Sequence, residues 1–264
     1  MGGAYASIAV GAEAAFWNPA GLDATRGTEI TASHFELYQN LRHDQFAVAG
    51  RLFGCGMSAS LRALYSEPIE ERDDLGNLIG SFGAHDLELA FGIGRGVAPG
   101  LTAGGTVSLV RERIANEAAD TYAFGAGMAW EPAAWPRTRF SLSAQNLGPA
   151  AAYNFDGERG APVELPAAVH GGVSYGHPLP GGYSLRTALE GRITRGRSGI
   201  AMLGAEVAGA AGGALRAGFR LNDENAQFGI GAGYAVSALR FDYAFVPSSL
   251  DLGDTHRLSF STRF

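Results

Sequence analysis

The sequence contains no lysine and a single cysteine, and charged residues occupy only 17% of its 264 positions. An ordinary soluble domain has about 25% charged residues. The lone Cys55 excludes an internal disulfide and argues against a zinc site built from the usual ligands. All 20 basic residues are arginines, yet the net charge is −6, which argues against a nucleic-acid partner because such proteins present a basic surface.

Long apolar runs and a leader segment are also missing. A membrane-spanning helix needs about 20 predominantly apolar residues. The uncharged stretch 165–185 is interrupted by Pro166, Pro178 and Pro180 and does not meet this requirement. The first residues have neither the basic region nor the apolar core of a signal peptide. Taken alone, the missing signal indicates a cytoplasmic protein.

The sequence does contain segments in which polarity alternates with a period of two, and the last nine residues are the clearest. One side of residues 256–264 has Leu258, Phe260, Thr262 and Phe264, and the other has Arg257, Ser259, Ser261 and Arg263. Successive side chains of a strand point to opposite faces, so this strand has one apolar and one wet face. A strand that closes a membrane barrel has lipid on one face and water on the other. We therefore interpret the terminal Phe264 as a C-terminal assembly signal, which implies the barrel assembly machinery as a partner.

Further alternating segments give about fourteen strands, an even number as expected for barrels of this class. They are residues 28–37, 45–52, 55–65, 86–93, 101–113, 121–130, 139–145, 169–175, 183–194, 200–207, 215–222, 227–236, 239–245 and 256–264. Short gaps such as 53–54 and 96–100 alternate with longer polar gaps at 66–83, 114–120, 146–164 and 246–254. Short turns at one rim and long loops at the other are typical of outer-membrane barrels. The sequence thus predicts an all-β fold, a transmembrane antiparallel β-barrel over residues 27–264.

If the apolar faces point to lipid, the opposite faces line the lumen, and most of the charge lies there. The predicted lumen-facing residues are Arg51, Arg62, Glu88, Arg139, Arg186, Glu190, Arg192, Arg216, Arg220, Arg240, Asp242, Arg257 and Arg263. So many charges would be prohibitive in a dry core, but in a water-filled or plugged lumen they can hydrate and pair. A solvated wall and a role in steering a substrate are both compatible with this pattern. Glycines on the same face leave room for something inside; these are Gly125, Gly127, Gly229, Gly231 and Gly233.

Residues 1–26 do not alternate and therefore cannot add a strand. A loose tail would not need Phe16, Trp17 and Leu22. Asn-Pro is a turn-forming dipeptide, so Asn18-Pro19 is either a simple helix stop or the turn of a segment that folds back inside the barrel. We predict an N-terminal luminal plug with the motif Trp17, Asn18, Pro19, Ala20, Gly21 and Leu22. Lumen arginines and glycine-lined backbone would supply partners for its unpaired backbone groups.

Signals for catalysis are weak. His170 and Ser174 share one strand face, but no acid is placed to orient the histidine and the serine lies outside a nucleophile elbow. The acidic run around Glu70 and Asp73 lacks the spacing of a calcium loop and is interpreted as a solvated outer loop. We expect neither an enzyme, nor a cofactor, nor a metal site.

Several short motifs resemble those of one family. Residues 3–5 followed by 15–22 resemble the N-terminal signature of the PorV/PorQ proteins, relatives of the FadL long-chain fatty-acid channels. Further similar motifs are Gln145-Asn146-Leu147-Gly148, Leu165-Pro166, Gly218-Phe219-Arg220, Phe228-Gly229-Ile230-Gly231-Ala232-Gly233-Tyr234, Asp242-Tyr243-Ala244 and Leu252-Gly253-Asp254-Thr255-His256-Arg257. The resemblance covers nearly the whole chain. It implies a fourteen-stranded outer-membrane barrel whose N-terminal plug contains Asn18-Pro19-Ala20.

The resemblance leaves two functions open. FadL-like members pass hydrophobic molecules, whereas PorV-like members serve type IX secretion, so the expected partners are membrane lipid and either a hydrophobic small molecule or a secreted protein. The loops are polar and of modest length, which favours transport. The family has a signal peptide before the Gly-Ala-Tyr segment, so we expect Met1 to be internal or misplaced and the gene to begin upstream. The expected location is then the outer membrane of the Gram-negative type.

Overall fold

The computed structural model describes residues 1–155, 158–250 and 253–264. Fourteen antiparallel strands form one closed barrel, which confirms the predicted fold class. The barrel strands are β1 (Glu29–Glu36), β2 (Leu41–Leu52), β3 (Cys55–Ser66), β6 (Ala84–Ala98), β7 (Leu101–Ile114), β8 (Glu117–Trp130), β9 (Thr138–Leu147), β12 (Ala168–Leu179), β13 (Tyr183–Thr194), β14 (Ile200–Ala208), β15 (Gly213–Leu221), β16 (Phe228–Val236), β17 (Leu239–Val246) and β18 (Thr255–Arg263). Neighbours along the chain are neighbours in the sheet, and β1 pairs with β18 to close it.

Two small hairpins stand outside the barrel. The first joins β4 (Ile69–Arg72) to β5 (Leu78–Phe82), and the second joins β10 (Asn154–Phe155) to β11 (Glu158–Arg159). The 3-10 turns Tyr38–Asn40 and Pro180–Gly182 lie in connections between barrel strands. Within the described residues, no helix has both the length and the apolar character needed to cross a bilayer.

The outer wall of the barrel is a continuous apolar surface. Large apolar side chains with roughly half of their area exposed occur on strands all round it. Examples are Phe46, Leu61, Phe91, Leu109, Phe124, Leu142, Val169, Leu189, Leu203, Phe219, Ile230, Phe241 and Leu258. Burying such side chains normally stabilises a fold, so a wall that leaves them exposed on every side needs an apolar surrounding. The alternating residues point inward, where polar and small side chains meet.

The connections define two rims. The short-turn rim has the turns at 53–54, 99–100, 131–137, 180–182, 209–212 and 237–238. The long-loop rim has the described connecting residues 37–40, 67–83, 115–116, 148–155, 158–167, 195–199, 222–227, 247–250 and 253–254. One predicted long gap is wrong. Strands β7 and β8 extend until Ala115 and Asn116 alone connect them, with Ala115 in the left-handed region at φ 52°. The gap 66–83 is long as predicted, but it contains a hairpin rather than an irregular loop.

The N-terminal segment lies inside the barrel. It contains a 3-10 turn (Gly11–Glu13), the single helical turn α1 (Ala14–Trp17) and a 3-10 helix (Pro19–Ala24). Two buried apolar clusters join it to the wall. One cluster is formed by Ala12, Ala14, Ala15, Phe16, Leu22, Ala47 and Ala49, and the other by Ala4, Ile8, Ala188 and Met202. The apolar core of this protein is therefore the contact between the plug, residues 1–26, and the inner wall.

Candidate functional site

The Asn-Pro-Ala motif lies against a row of four glycines on the inner wall. Gly56, Gly94, Gly104 and Gly127 are direct cross-strand partners on β3, β6, β7 and β8. A Cβ at any of them would overlap the plug: Leu22 at Gly56, Pro19 at Gly94 and Gly104, and Asn18 at Gly127. Because glycine has no Cβ, two backbones can approach closely at these positions. We call these four residues the glycine row.

Asn18 fixes the plug in this position by two hydrogen bonds. Its Nδ2 donates to the Met128 carbonyl at 3.1 Å, and its Oδ1 accepts from the Ala20 amide at 3.1 Å. The second bond caps the 3-10 helix Pro19–Ala24, and α1 ends one residue earlier, so the motif is a helix stop as well as a docking element. Asn18 and Leu22 are 1% and 0% exposed. A buried amide with both ends bonded specifies one position for the chain.

Lumen side chains satisfy the backbone carbonyls of the plug. Arg62 donates to the Phe16 carbonyl at 3.2 Å, Gln145 donates to the Trp17 carbonyl at 2.8 Å and Ser143 donates to it at 3.2 Å. Near the short-turn rim, Arg51 donates to the Asp23 carbonyl at 2.6 Å. These bonds replace the water or secondary structure that a buried irregular segment would otherwise need.

The first residues of the plug contact the opposite wall, on β12 to β15. Glu190 is 2% exposed and accepts from the Ala6 amide at 3.0 Å, the Ser7 amide at 2.7 Å and the Ser7 hydroxyl at 2.6 Å. Ser174 donates to the Ser7 carbonyl at 3.2 Å. Hydrogen bonds to a buried carboxylate are among the stronger ones, so Glu190 is a main attachment of the plug.

Two attachments were not anticipated from the sequence. Glu29, at the start of β1, accepts from the Ala12 and Arg26 amides at 3.2 Å each and pairs with Arg263 at 3.1 Å. Gly56, Gly94 and Gly104 were not recognised as a set, although each falls on the inner face of its strand. Only the register of the strands would have identified them, because the four glycines become neighbours once β3, β6, β7 and β8 are paired.

Each residue of the predicted lumen-facing set lies on the inner face of its strand, and several of them meet. Arg62 pairs with Glu88 at 3.0 Å, and Arg216 bridges Glu206 and Asp242 at 2.5 and 2.6 Å. Arg240 also pairs with Asp242, at 2.8 Å, and Arg186 approaches Glu206 at 3.7 Å. Arg139 pairs with Glu131 at 3.6 Å and Arg220 with Asp223 at 3.0 Å, whereas Arg192 and Arg257 have no ion pair within the described chain.

Phe264 is exposed, and its backbone pairs with Thr28 beside the closing strands.

The plug leaves one sector of the lumen unfilled, next to β1, β2 and β15 to β18, and two cavities occupy it. The outer cavity, of about 390 Å³, opens toward the long-loop rim, and its wall includes Phe35, His43 and Arg257. The inner cavity, of about 490 Å³, lies toward the short-turn rim beside Arg186 and Arg263. Both are bounded on one side by the plug.

Four residues line both cavities and therefore form the partition between them: Tyr5, Glu13, Thr31 and Arg240. The Tyr5 hydroxyl donates to the Glu13 carboxylate, and Ser261 donates to the same carboxylate at 3.4 Å. Burial and the neighbouring Glu13 charge raise the pKa of Tyr5 well above its ordinary value, so the phenol keeps the proton that it donates. The partition is thus one side-chain layer held by hydrogen bonds.

The described residues contain no cluster of three or more His, Cys, Asp or Glu side chains that could hold a metal ion. His170 and Ser174, the pair considered for hydrolysis, are both buried on the inner face, and Ser174 is used to bind the plug.

Comparison with solved structures shows a shared fold. The chain resembles the Pseudomonas putida toluene transporter TodX with a TM-score of 0.67 at 13% identity, covering all of this chain and 96% of that one. It resembles the monoaromatic hydrocarbon channel CymD with a TM-score of 0.66 at 14% identity and the same coverage. A Pseudomonas aeruginosa FadL homologue matches over the same shares with a TM-score of 0.58 at 13% identity. No protein-family model and no curated protein matches the chain. The fold is that of a FadL-like barrel.

Proposed function

We propose that this protein is an outer-membrane barrel of the PorV/PorQ, FadL-like type through which a hydrophobic small molecule passes passively. The observation that supports this most directly is the pair of cavities separated by one hydrogen-bonded layer. Together they follow a single sector of the wall from one rim toward the other. The transporter and channel with the same fold, described for toluene and monoaromatic hydrocarbons, are compatible with this function.

The proposed orientation follows from the rims. Long loops of outer-membrane barrels face outward and short turns face the periplasm. A ligand would enter the outer cavity, where Phe16, Trp17 and Phe35 offer aromatic surface. It would pass the partition when the Tyr5–Glu13 hydrogen bond opens, and leave through the inner cavity. Hydrogen bonds to a charged group contribute about 1.5–3 kcal/mol each, so thermal motion can open this layer without an energy source.

The test is uptake of radiolabelled toluene at low micromolar concentration by Gram-negative cells that lack their own hydrocarbon channel. Cells expressing the protein should take up toluene faster than cells expressing a matched barrel without such a cavity. The Ala244→Phe variant, which fills the outer cavity from β17, should remove the difference. Equal uptake with and without the protein, at verified surface levels, would reject transport.

A second function is favoured by one observation. The hairpin β4–β5 at the long-loop rim exposes Leu75, Leu78 and Ile79 by 86%, 60% and 61%. Apolar side chains grouped on a projecting hairpin are typical of a protein-binding surface. This supports an accessory role in type IX secretion or surface attachment. Replacing residues 69–82 by a short turn should then abolish partner retention and leave toluene uptake unchanged.

A further inference from the structure

The outer cavity contains an arginine that makes no ion pair with any described residue. Arg257 lies on the inner face of β18, and its buried Nε has no hydrogen-bond partner in the described parts of the chain. No ion pair of its guanidinium occurs among residues 1–155, 158–250 and 253–264 either. Its guanidinium lies over the Phe35 ring, whose centroid is 5.4 Å from the guanidinium carbon. An unpaired buried charge is costly, so a site of this kind favours a ligand that completes it.

The other cations of the cavity are already paired. Arg216 and Arg240 share Asp242, and Arg220 pairs with Asp223 while its Nε donates to the Gly2 carbonyl at 2.7 Å. The Glu13 carboxylate accepts from Tyr5 and Ser261. Among the arginines that line the outer cavity, Arg257 is therefore the one without an ion pair in the described residues.

Register explains why there is space beside this cation. Arg257 pairs across the sheet with Phe35 on β1 and with Ala244 on β17, and Ala244 pairs with Gly231 on β16. On the inner wall, the guanidinium thus has an aromatic ring on one side and two small residues on the other. His43 continues the aromatic side, with its ring centroid 5.3 Å from that of Phe35. Planar groups can stack here while an anion reaches the guanidinium.

We propose that the ligand of the outer cavity is a monoaromatic carboxylate, with its carboxylate on Arg257 and its ring among the aromatic side chains. This rests on the proposed function in that it names the class of molecule that the same route would take. Guanidinium binds carboxylate through a planar, bidentate pair of hydrogen bonds, which suits a single anionic group. A cavity of about 390 Å³ holds one substituted benzene ring more naturally than an extended long-chain acid.

The experiment is calorimetric titration of the full chain, refolded in zwitterionic detergent, with 4-ethylbenzoate, neutral ethylbenzene and laurate. The intact protein should bind 4-ethylbenzoate most tightly. Arg257→Gln should weaken that binding about 10- to 100-fold and leave ethylbenzene binding within about threefold, because only a charge-assisted hydrogen bond is lost. Arg139→Gln is the control: Arg139 is also a lumen arginine whose Nε has no hydrogen bond, but it pairs with Glu131 and lines neither cavity. This variant should bind 4-ethylbenzoate as tightly as the intact protein does.

Ala244→Phe gives a second variant in case Arg257→Gln does not fold, and it should abolish binding of both aromatic ligands. Tighter binding of laurate, or 4-ethylbenzoate binding that is unchanged in folded Arg257→Gln, would overturn the proposal. Uptake of toluene and of 4-ethylbenzoate, measured on the same variants, separates this proposal from the proposed function. Normal toluene uptake with no 4-ethylbenzoate binding rejects only the ligand class, and 4-ethylbenzoate binding without uptake of either compound rejects only transport.

Discussion

At the scale of single residues, glycine has a different role at different places in this barrel. Those of the glycine row are required because atoms of the plug occupy the space that a Cβ would fill. Others on the inner wall, such as Gly231, border open space in the outer cavity. Composition alone cannot separate the two kinds, because both lie on inward faces.

The glycine row gives a direct test with a neighbouring control. A Cβ at Gly104 would lie 2.7 Å from the Ala20 nitrogen, and overpacking of this kind costs about 1–3 kcal/mol. Gly104→Val should therefore displace the plug and raise ion conductance in planar bilayers several-fold. Gly105→Val adds the same side chain one residue later, where the nearest atom is the Gly125 carbonyl oxygen at 3.6 Å. Equal conductance in the two variants would show that the row does not seat the plug.

The direction of each charged side chain could be predicted from the sequence, whereas its partner could not. Alternation along β13 places Glu190 inside, but nothing in the local sequence relates it to Ser7, which is 183 residues away. The same is true of Ser174, whose hydrogen bond to the Ser7 carbonyl cannot be predicted from its position on one strand face with His170. Pairing across a closed sheet depends on register and on where the plug lies, and a single sequence encodes neither explicitly.

At the scale of the strand, the two faces have opposite requirements. Phe241 on β17 is 53% exposed on the apolar wall, whereas its neighbour Arg240 points inward and pairs with Asp242. An arginine at mid-bilayer on the lipid face costs about 2–4 kcal/mol. Phe241→Arg should therefore impair assembly far more than Arg240→Phe, seen as loss of the heat-modifiable band in gel electrophoresis. Similar losses for both variants would contradict the assignment of the faces.

Strand existence was predictable because apolar and polar residues alternate strictly over most strands. Elements without a buried face could not be predicted in this way. The hairpin β4–β5 has exposed residues on both sides, so no periodic signal distinguishes it from a loop. Residues 115–120 are polar or small, so their sequence predicts a gap. The strands β7 and β8 nevertheless continue above the apolar band, where outward residues such as Arg111 and Asp120 can be charged.

At the scale of the whole molecule, the barrel and its N-terminal segment share one apolar core. The plug contacts β3 to β9 through residues 16–23, β12 to β15 through residues 1–8, and β1 and β2 through its 3-10 turn Gly11–Glu13. The cavities remain beside these contacts, next to β1, β2 and β15 to β18. A segment attached on two sides of a lumen blocks most of its cross-section and defines where a route can run. We propose that this segment, and not a narrow barrel, closes the pore.

Closure of the pore by the N-terminal segment is tested most directly by the planar-bilayer conductance of the protein lacking residues 1–22. The barrel strands begin at Glu29, so the deletion should leave a folded, heat-modifiable barrel. Its single-channel conductance should be several-fold higher than that of the full chain, because the lumen sectors of β3 to β9 and β12 to β15 become open to water. Unchanged conductance from a barrel shown to be intact would mean that the segment does not close the pore.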